Sequence, residues 1–138
     1  MRRMVLLFGL TFAVGIAVGK MGFQSLNAQQ DLIRLTPLLT KELVGLEGKE
    51  GRLYIVEFAS GAGTGTHLHR GHEFAYVLEG TGVFEIDGKP SRTLRPGETA
   101  YLMPGVRHNT KNASAEAPLK ILLCSIAEPG QPPIDWNP

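Results

Sequence analysis

Five residues carry ligand chemistry in this chain: His67, His69, His72, Glu73 and His108. His67 and His69 are two apart. Side chains alternate along an extended segment, so both imidazoles point to one face. Glu73 follows His69 by four residues and reaches the same place only if the chain bends between them. Arg70-Gly71 can supply that bend. His108 must arrive from another strand. Three neutral nitrogens and one carboxylate form a borderline donor set that suits one first-row divalent ion: Fe, Mn, Zn, Ni or Cu. An octahedral shell would keep two positions open, enough for water, dioxygen or a bidentate small molecule. His72 adjoins Glu73, so on a strand it faces the other way and is expected at the surface or the mouth of the site.

The elements that must position these side chains read as strands separated by Gly, Pro and Asp turns. Arg52 to Ala59 is the first strong β run. Gly61-Ala62-Gly63-Thr64-Gly65 is too glycine-rich for a helix or a regular strand. Phe74 to Glu79 and Thr81 to Asp87 flank a bend at Gly80, and Asp87-Gly88 is a hairpin signal. Ser91 to Leu94 and Thr99 to Met103 are short strands, closed by Pro96-Gly97 and Pro104-Gly105. Leu119 to Ala127 is the last β run. Many short strands at this spacing imply a closed barrel or sandwich. Asp31 to Glu50 contains Pro37 and shows no helical stripe; it could supply edge strands or swap onto a partner. Pro129 to Pro138 holds four prolines and is expected to be an extended surface segment anchored by Trp136.

The order Gly61-x5-His67-x-His69-x3-Glu73-x6-Gly80 resembles the first motif of the cupin superfamily. Gly97, Pro104, Gly105, His108 and Asn112 resemble the second, with Met103 where a proline is usual and the proline one place later. The resemblance implies an all-β fold, a single double-stranded β-helix or jelly-roll barrel of the small cupin kind. It assigns His67, His69, Glu73 and His108 to the metal. The domain then spans 29–138, with a barrel core at about 50–127 and a tail at 128–138. Alternation gives an expected pocket lining of Tyr54, Val77, Tyr101, Met103 and Thr110. Arg52, Arg92, Arg95 and Arg107 are the cations near the barrel, and none stands out as an anion anchor.

Residues 1–28 are set aside from the fold. Arg2-Arg3 precede an uncharged apolar run from Met4 to Gly19, and Leu26-Asn27-Ala28 suits cleavage after Ala28. This reads as a secretory signal peptide; an uncleaved N-terminal anchor is the rival, since the run is short for a span of about 20 residues. The protein is therefore expected to be periplasmic or secreted. Of 14 Lys and Arg and 13 Asp and Glu, residues 1–28 hold three basic and no acidic, so the remainder carries a net −2. No basic excess argues for nucleic acid, and membrane contact is expected through the N-terminal segment alone. The single cysteine, Cys124, has no internal disulfide partner and is expected to be a small buried hydrophobe.

Open metal positions point to a metal-dependent oxidoreductase, dioxygenase-like, acting on a small molecule. Two readings share the same ligands: a metal-dependent isomerase or lyase, and a non-catalytic small-molecule or metal-binding module of the cell envelope. By analogy with small cupins, a homodimer through edge strands is expected.

Overall fold

The computed structural model describes residues 32–135. The expected signal or anchor at 1–28 and the expected anchor Trp136 lie outside the described residues. Eight strands follow in order: β1 Ile33–Glu42, β2 Glu50–Phe58, β3 His72–Glu79, β4 Gly82–Ile86, β5 Arg92–Leu94, β6 Thr99–Leu102, β7 His108–Asn112 and β8 Leu119–Ala127. They form two antiparallel sheets, β1-β2-β8-β3-β6 and β5-β4-β7. The fold is all-β, as expected for a jelly roll, and no helix occurs among the described residues.

Alternation along β3 buries Glu73, Ala75 and Val77 and leaves Phe74, Tyr76 and Leu78 exposed. On β2 it buries Arg52, Tyr54, Val56 and Phe58. Register then sorts the inner face into rows. Phe58 pairs with Leu119, and Val56 with Ile121 opposite Val77; with Phe84 and Leu94 these make an apolar end. Each such side chain, fully buried, contributes roughly 1.5–3 kcal/mol. Further along the same strands the rows turn polar: Arg52 pairs with Ser125, and Ser125 with Glu73. The apolar end makes the barrel stable, and the polar end is where the ligands gather.

The stretch left open between Asp31 and Glu50 supplies β1, the edge strand paired to β2. Pro37 pairs with Tyr54, and the register shifts between Pro37 and Leu39. A proline has no N–H for a ladder, so an edge position beside a bulge is where a strand tolerates one. Gly80 holds φ +80, and a Cβ there would lie 2.4 Å from the Pro118 carbonyl oxygen. The first motif thus needs glycine at that turn for two reasons, backbone sign and space. Cys124 lies half-buried on the outer face opposite Phe74, not fully buried as expected, because its position on β8 points away from the core.

Candidate metal centre

His67 and His108 face each other across the two sheets' open end. Each backbone N–H donates to the other's carbonyl, at 3.0 and 2.9 Å. The Gly105 N–H donates to the His69 carbonyl at 2.8 Å, tying the turn before β7 to the first motif. The displaced proline at 104 leaves that turn intact. The bend between His69 and Glu73 falls at Arg70-Gly71, where a Cβ on Gly71 would lie 2.3 Å from the Ile126 carbonyl oxygen. Asn112, the last motif residue, donates from Nδ2 to the carbonyls of Ala59 and Ala117 at 3.1 and 2.8 Å and accepts from the Ser114 N–H. It staples loops and does not touch the ligands.

The three imidazoles are buried, and their candidate ligand atoms lie within 4.8 Å of one another. Their Nδ1 atoms all meet carbonyl oxygens: Gly65 for His67 at 2.9 Å, Val106 for His108 at 3.0 Å, and Pro133 for His69. A carbonyl only accepts, so each Nδ1 carries the proton and donates it. Each Nε2 is then left with its lone pair. This is the arrangement that orients histidines for a metal.

Glu73 completes the group. Its Oε1 lies 3.2 Å from the Nε2 of His69. With Nδ1–H already spent on Pro133, those two atoms face each other as lone-pair donors unless a cation lies between them. A proton or a metal ion satisfies that demand, so the donor set fits a divalent ion. Burial, more than any other cause, pushes the His67 pKa down to about 4 and lowers that of His108; the neighbouring imidazoles push the same way. Burial would lower His69 too, but the hydrogen bond and charge of Glu73, with the Pro133 carbonyl, outweigh it and raise that pKa. Two of the three imidazoles are therefore neutral at pH 7 and ready to ligate.

A cavity of about 40 Å³ adjoins the cluster, lined by all four residues together with Tyr54, Thr110 and Ser125, apolar side chains of both sheets, and Pro133 and Ile134. A water needs about 10–15 Å³ on this measure, so the space admits a few waters beside the ligands. Tyr54 and Thr110 are among its lining residues. Three expectations are corrected. Tyr101 and Met103 are 44% and 48% exposed on the outer face, because β6 turns Ala100 and Leu102 inward instead. Val77 faces inward but packs in the apolar end, beyond the cavity wall. His72 sits on the outer face, the surface side of the two places expected for it, where its Nδ1 shares a hydrogen bond with the Tyr101 hydroxyl at 2.7 Å.

Two features carry no sequence signal that would have revealed them. The tail is not merely a surface segment: it crosses the site, and Asp135 pairs with Leu68 by backbone hydrogen bonds of 3.0 and 3.2 Å. Arg52 is buried, with its guanidinium on Glu50 and on the carbonyls of Gln131 and Glu128.

Comparison with known proteins matches this geometry to a family. Residues 54–125, just over half of the chain, match the model of the cupin domain, and the chain belongs to the cupin family. A search of curated proteins finds no match. Among solved structures, a cupin-like protein from Thermotoga maritima is 28% identical, with a TM-score of 0.61 over 76% of this chain and 75% of that one. The DMSP lyase DddQ from Ruegeria pomeroyi is 21% identical, with a TM-score of 0.63 over 75% of this chain and 51% of that one, so the chain spans about half of its length. An oxalate oxidase is 24% identical, with a TM-score of 0.56 over 71% of this chain and 55% of that one. The last two share the fold.

Proposed function

We propose that this chain holds one divalent metal ion through His67, His69, Glu73 and His108 and uses it to convert a small molecule, as a metal-dependent oxidoreductase of the dioxygenase kind. The observation that carries this reading is the spending of all three Nδ1–H groups on carbonyls, which leaves three Nε2 lone pairs converging beside a buried carboxylate. Bound there, the ion would supply Lewis-acid polarisation and open positions for an oxygen ligand. The chain's own contribution is orientation and exclusion of water. Val56, Phe58, Phe84 and Ile121 give the cavity apolar walls, while the hydroxyls of Thr110 and Ser125 offer hydrogen bonds. Support for oxidase chemistry also comes from the oxalate oxidase that shares this fold.

A second reading, a metal-dependent lyase or isomerase, rests on Tyr54. Beyond the four ligand candidates it is the titratable side chain among the described cavity-lining residues, placed to give or take a proton. A lyase of the same fold agrees with it. Anaerobic reconstitution with Fe²⁺, followed by oxygen-uptake assays against enolic, phenolic and thiol substrates, separates the two. Uptake supports the oxidoreductase. Turnover without oxygen that is lost in Tyr54→Phe supports the lyase or isomerase. Stoichiometric ligand retention without turnover supports a binding module and refutes both.

We also propose that residues 1–28 direct export, so that the protein acts in the periplasm or outside the cell; the mass of protein from its native compartment tests this, and an intact N-terminus there argues for an anchor. Outside the cytoplasm Zn²⁺ or Cu²⁺ can outcompete Fe²⁺ and Mn²⁺, since affinity rises along that series. Elemental analysis of the same sample decides the ion. We assign a second copy of the chain to the free edge of β1, where Leu38 and Leu39 are exposed. Light scattering that reports a monomer at micromolar concentration would reject that assignment.

A further inference from the structure

The orienting carbonyls of the three histidines are not equivalent. Those of His67 and His108 belong to residues two positions earlier, Gly65 and Val106, and come with the local backbone. That of His69 belongs to Pro133, 64 residues away. It reaches His69 only because the C-terminal segment crosses the barrel mouth. There Pro133 and Ile134 close one side of the cavity.

The segment is held chiefly by polar contacts. Arg52 donates from Nη1 to the Gln131 carbonyl at 2.8 Å and from Nη2 to the Glu128 carbonyl at 3.1 Å, while its Nε is fixed on Glu50. Leu68 and Asp135 exchange backbone hydrogen bonds, and Arg70 donates to the Asp135 carboxylate at 2.9 Å. Arg52 is 6% exposed with the segment docked, and the bond of its Nε to Glu50 ties the guanidinium to β2 independently of the segment. Contacts of this kind release without disrupting the apolar end of the barrel.

We propose that residues 128–135 form a strap whose docking positions His69 for the metal, with Arg52 as its clamp, and that the strap must lift to admit anything larger than a few waters. The inference rests on the metal reading above. Pro133 and Arg52 are positioning residues: the first acts through His69, the second through the strap. Docking and metal binding are then linked, and linkage is reciprocal: the factor by which the docked strap strengthens metal binding is the factor by which metal strengthens docking. Loss of a group that orients a ligating histidine typically weakens metal binding 10–100-fold, and that is the range expected here.

The chain carries its own reporter. Its single tryptophan, Trp136, directly follows the strap. Zn²⁺ alone serves as the probe, titrated against a competing chelator into the chain with its complete C-terminus, into a chain ending at Gly130, and into Arg52→Gln. Acrylamide quenching of Trp136 is read with and without Zn²⁺. The expected result is 10–100-fold weaker Zn²⁺ binding in the shortened chain, weaker binding in Arg52→Gln, and at least twofold slower quenching of Trp136 when Zn²⁺ is bound. Equal Zn²⁺ affinity in a shortened chain that keeps its β circular dichroism overturns the strap and leaves the metal reading standing. If the shortened chain does not fold, Zn²⁺ affinity in a folded Arg52→Gln equal to that of the complete chain overturns it just as directly. A complete chain that fails to bind Zn²⁺ overturns both.

Discussion

Lowering the pH should destabilise the metal-free protein through His67. His67 is 2% exposed, and burial pushes its pKa from 6.5 down to about 4. As pH falls, the unfolded chain takes up this proton first, so folding stability is lost from about pH 6.5 downward and the loss levels off below about pH 4. At about 1.4 kcal/mol per pKa unit, this one side chain removes about 1.4 kcal/mol by pH 5.5 and about 3 kcal/mol by pH 4. Against a total stability of roughly 5–15 kcal/mol, that is a large fraction. His108 acts in the same direction, and His69, whose pKa is raised, opposes it. Urea unfolding with excess chelator, at pH 7.5 and pH 4, on wild type and His67→Gln, isolates the contribution. Wild type should lose about 3 kcal/mol more than the variant across that interval. Equal losses would mean that His67 is hydrated or already protonated in the fold, and the burial argument would fail.

His69→Ala and His108→Ala should each lose tight stoichiometric metal by elemental analysis, whereas His72→Ala, which touches Tyr101 on the outer face, should retain it; retention in the first pair refutes the ligand assignment. Glu73→Gln removes the one anionic donor and the charge that raises the His69 pKa, so metal affinity should fall at least tenfold and its dependence on pH near neutrality should flatten; isothermal titration at pH 6 and pH 8 checks this. Gly80→Ala forces a side chain into a left-handed φ and against the Pro118 carbonyl, which should cost about 2 kcal/mol or more in chemical denaturation.

Three of the four candidate ligands could be grouped from the sequence because they are local, whereas His108 comes from another strand and was placed by its resemblance to the second motif. His67, His69 and Glu73 fall within seven residues, and the glycines that bend the chain around them sit at fixed offsets, so spacing alone brings them together. β6 was misread for a physical reason. Both of its faces are apolar, Ala100 and Leu102 against Tyr101 and Met103, and alternation cannot choose a phase between them. The phase is set by packing: Ala100 pairs with Ala75 on the inner face, which leaves the larger pair outside. Pro37 concealed β1 because a proline signals a strand break unless the strand lies at an edge. The crossing of the tail was invisible for another reason: Pro133, Gln131 and Glu128 act through backbone carbonyls, which every residue possesses, so their partnership with His69 and Arg52 leaves no pattern in side-chain identity.

The place of β8 in the larger sheet has a consequence for biogenesis. The last of the eight described strands in chain order lies at the middle of that sheet, between β2 and β3, and carries Ile121 into the core. Until Leu119–Ala127 emerges, β1 and β2 have no contact through the sheet with β3 and β6. Pairing of this non-local kind is slow to form because the loop must close first. A chain that lacks β8 therefore cannot close the larger sheet. A chain stopped at Pro118 should show no cooperative unfolding transition by circular dichroism, and a cooperative one would place the folding nucleus elsewhere.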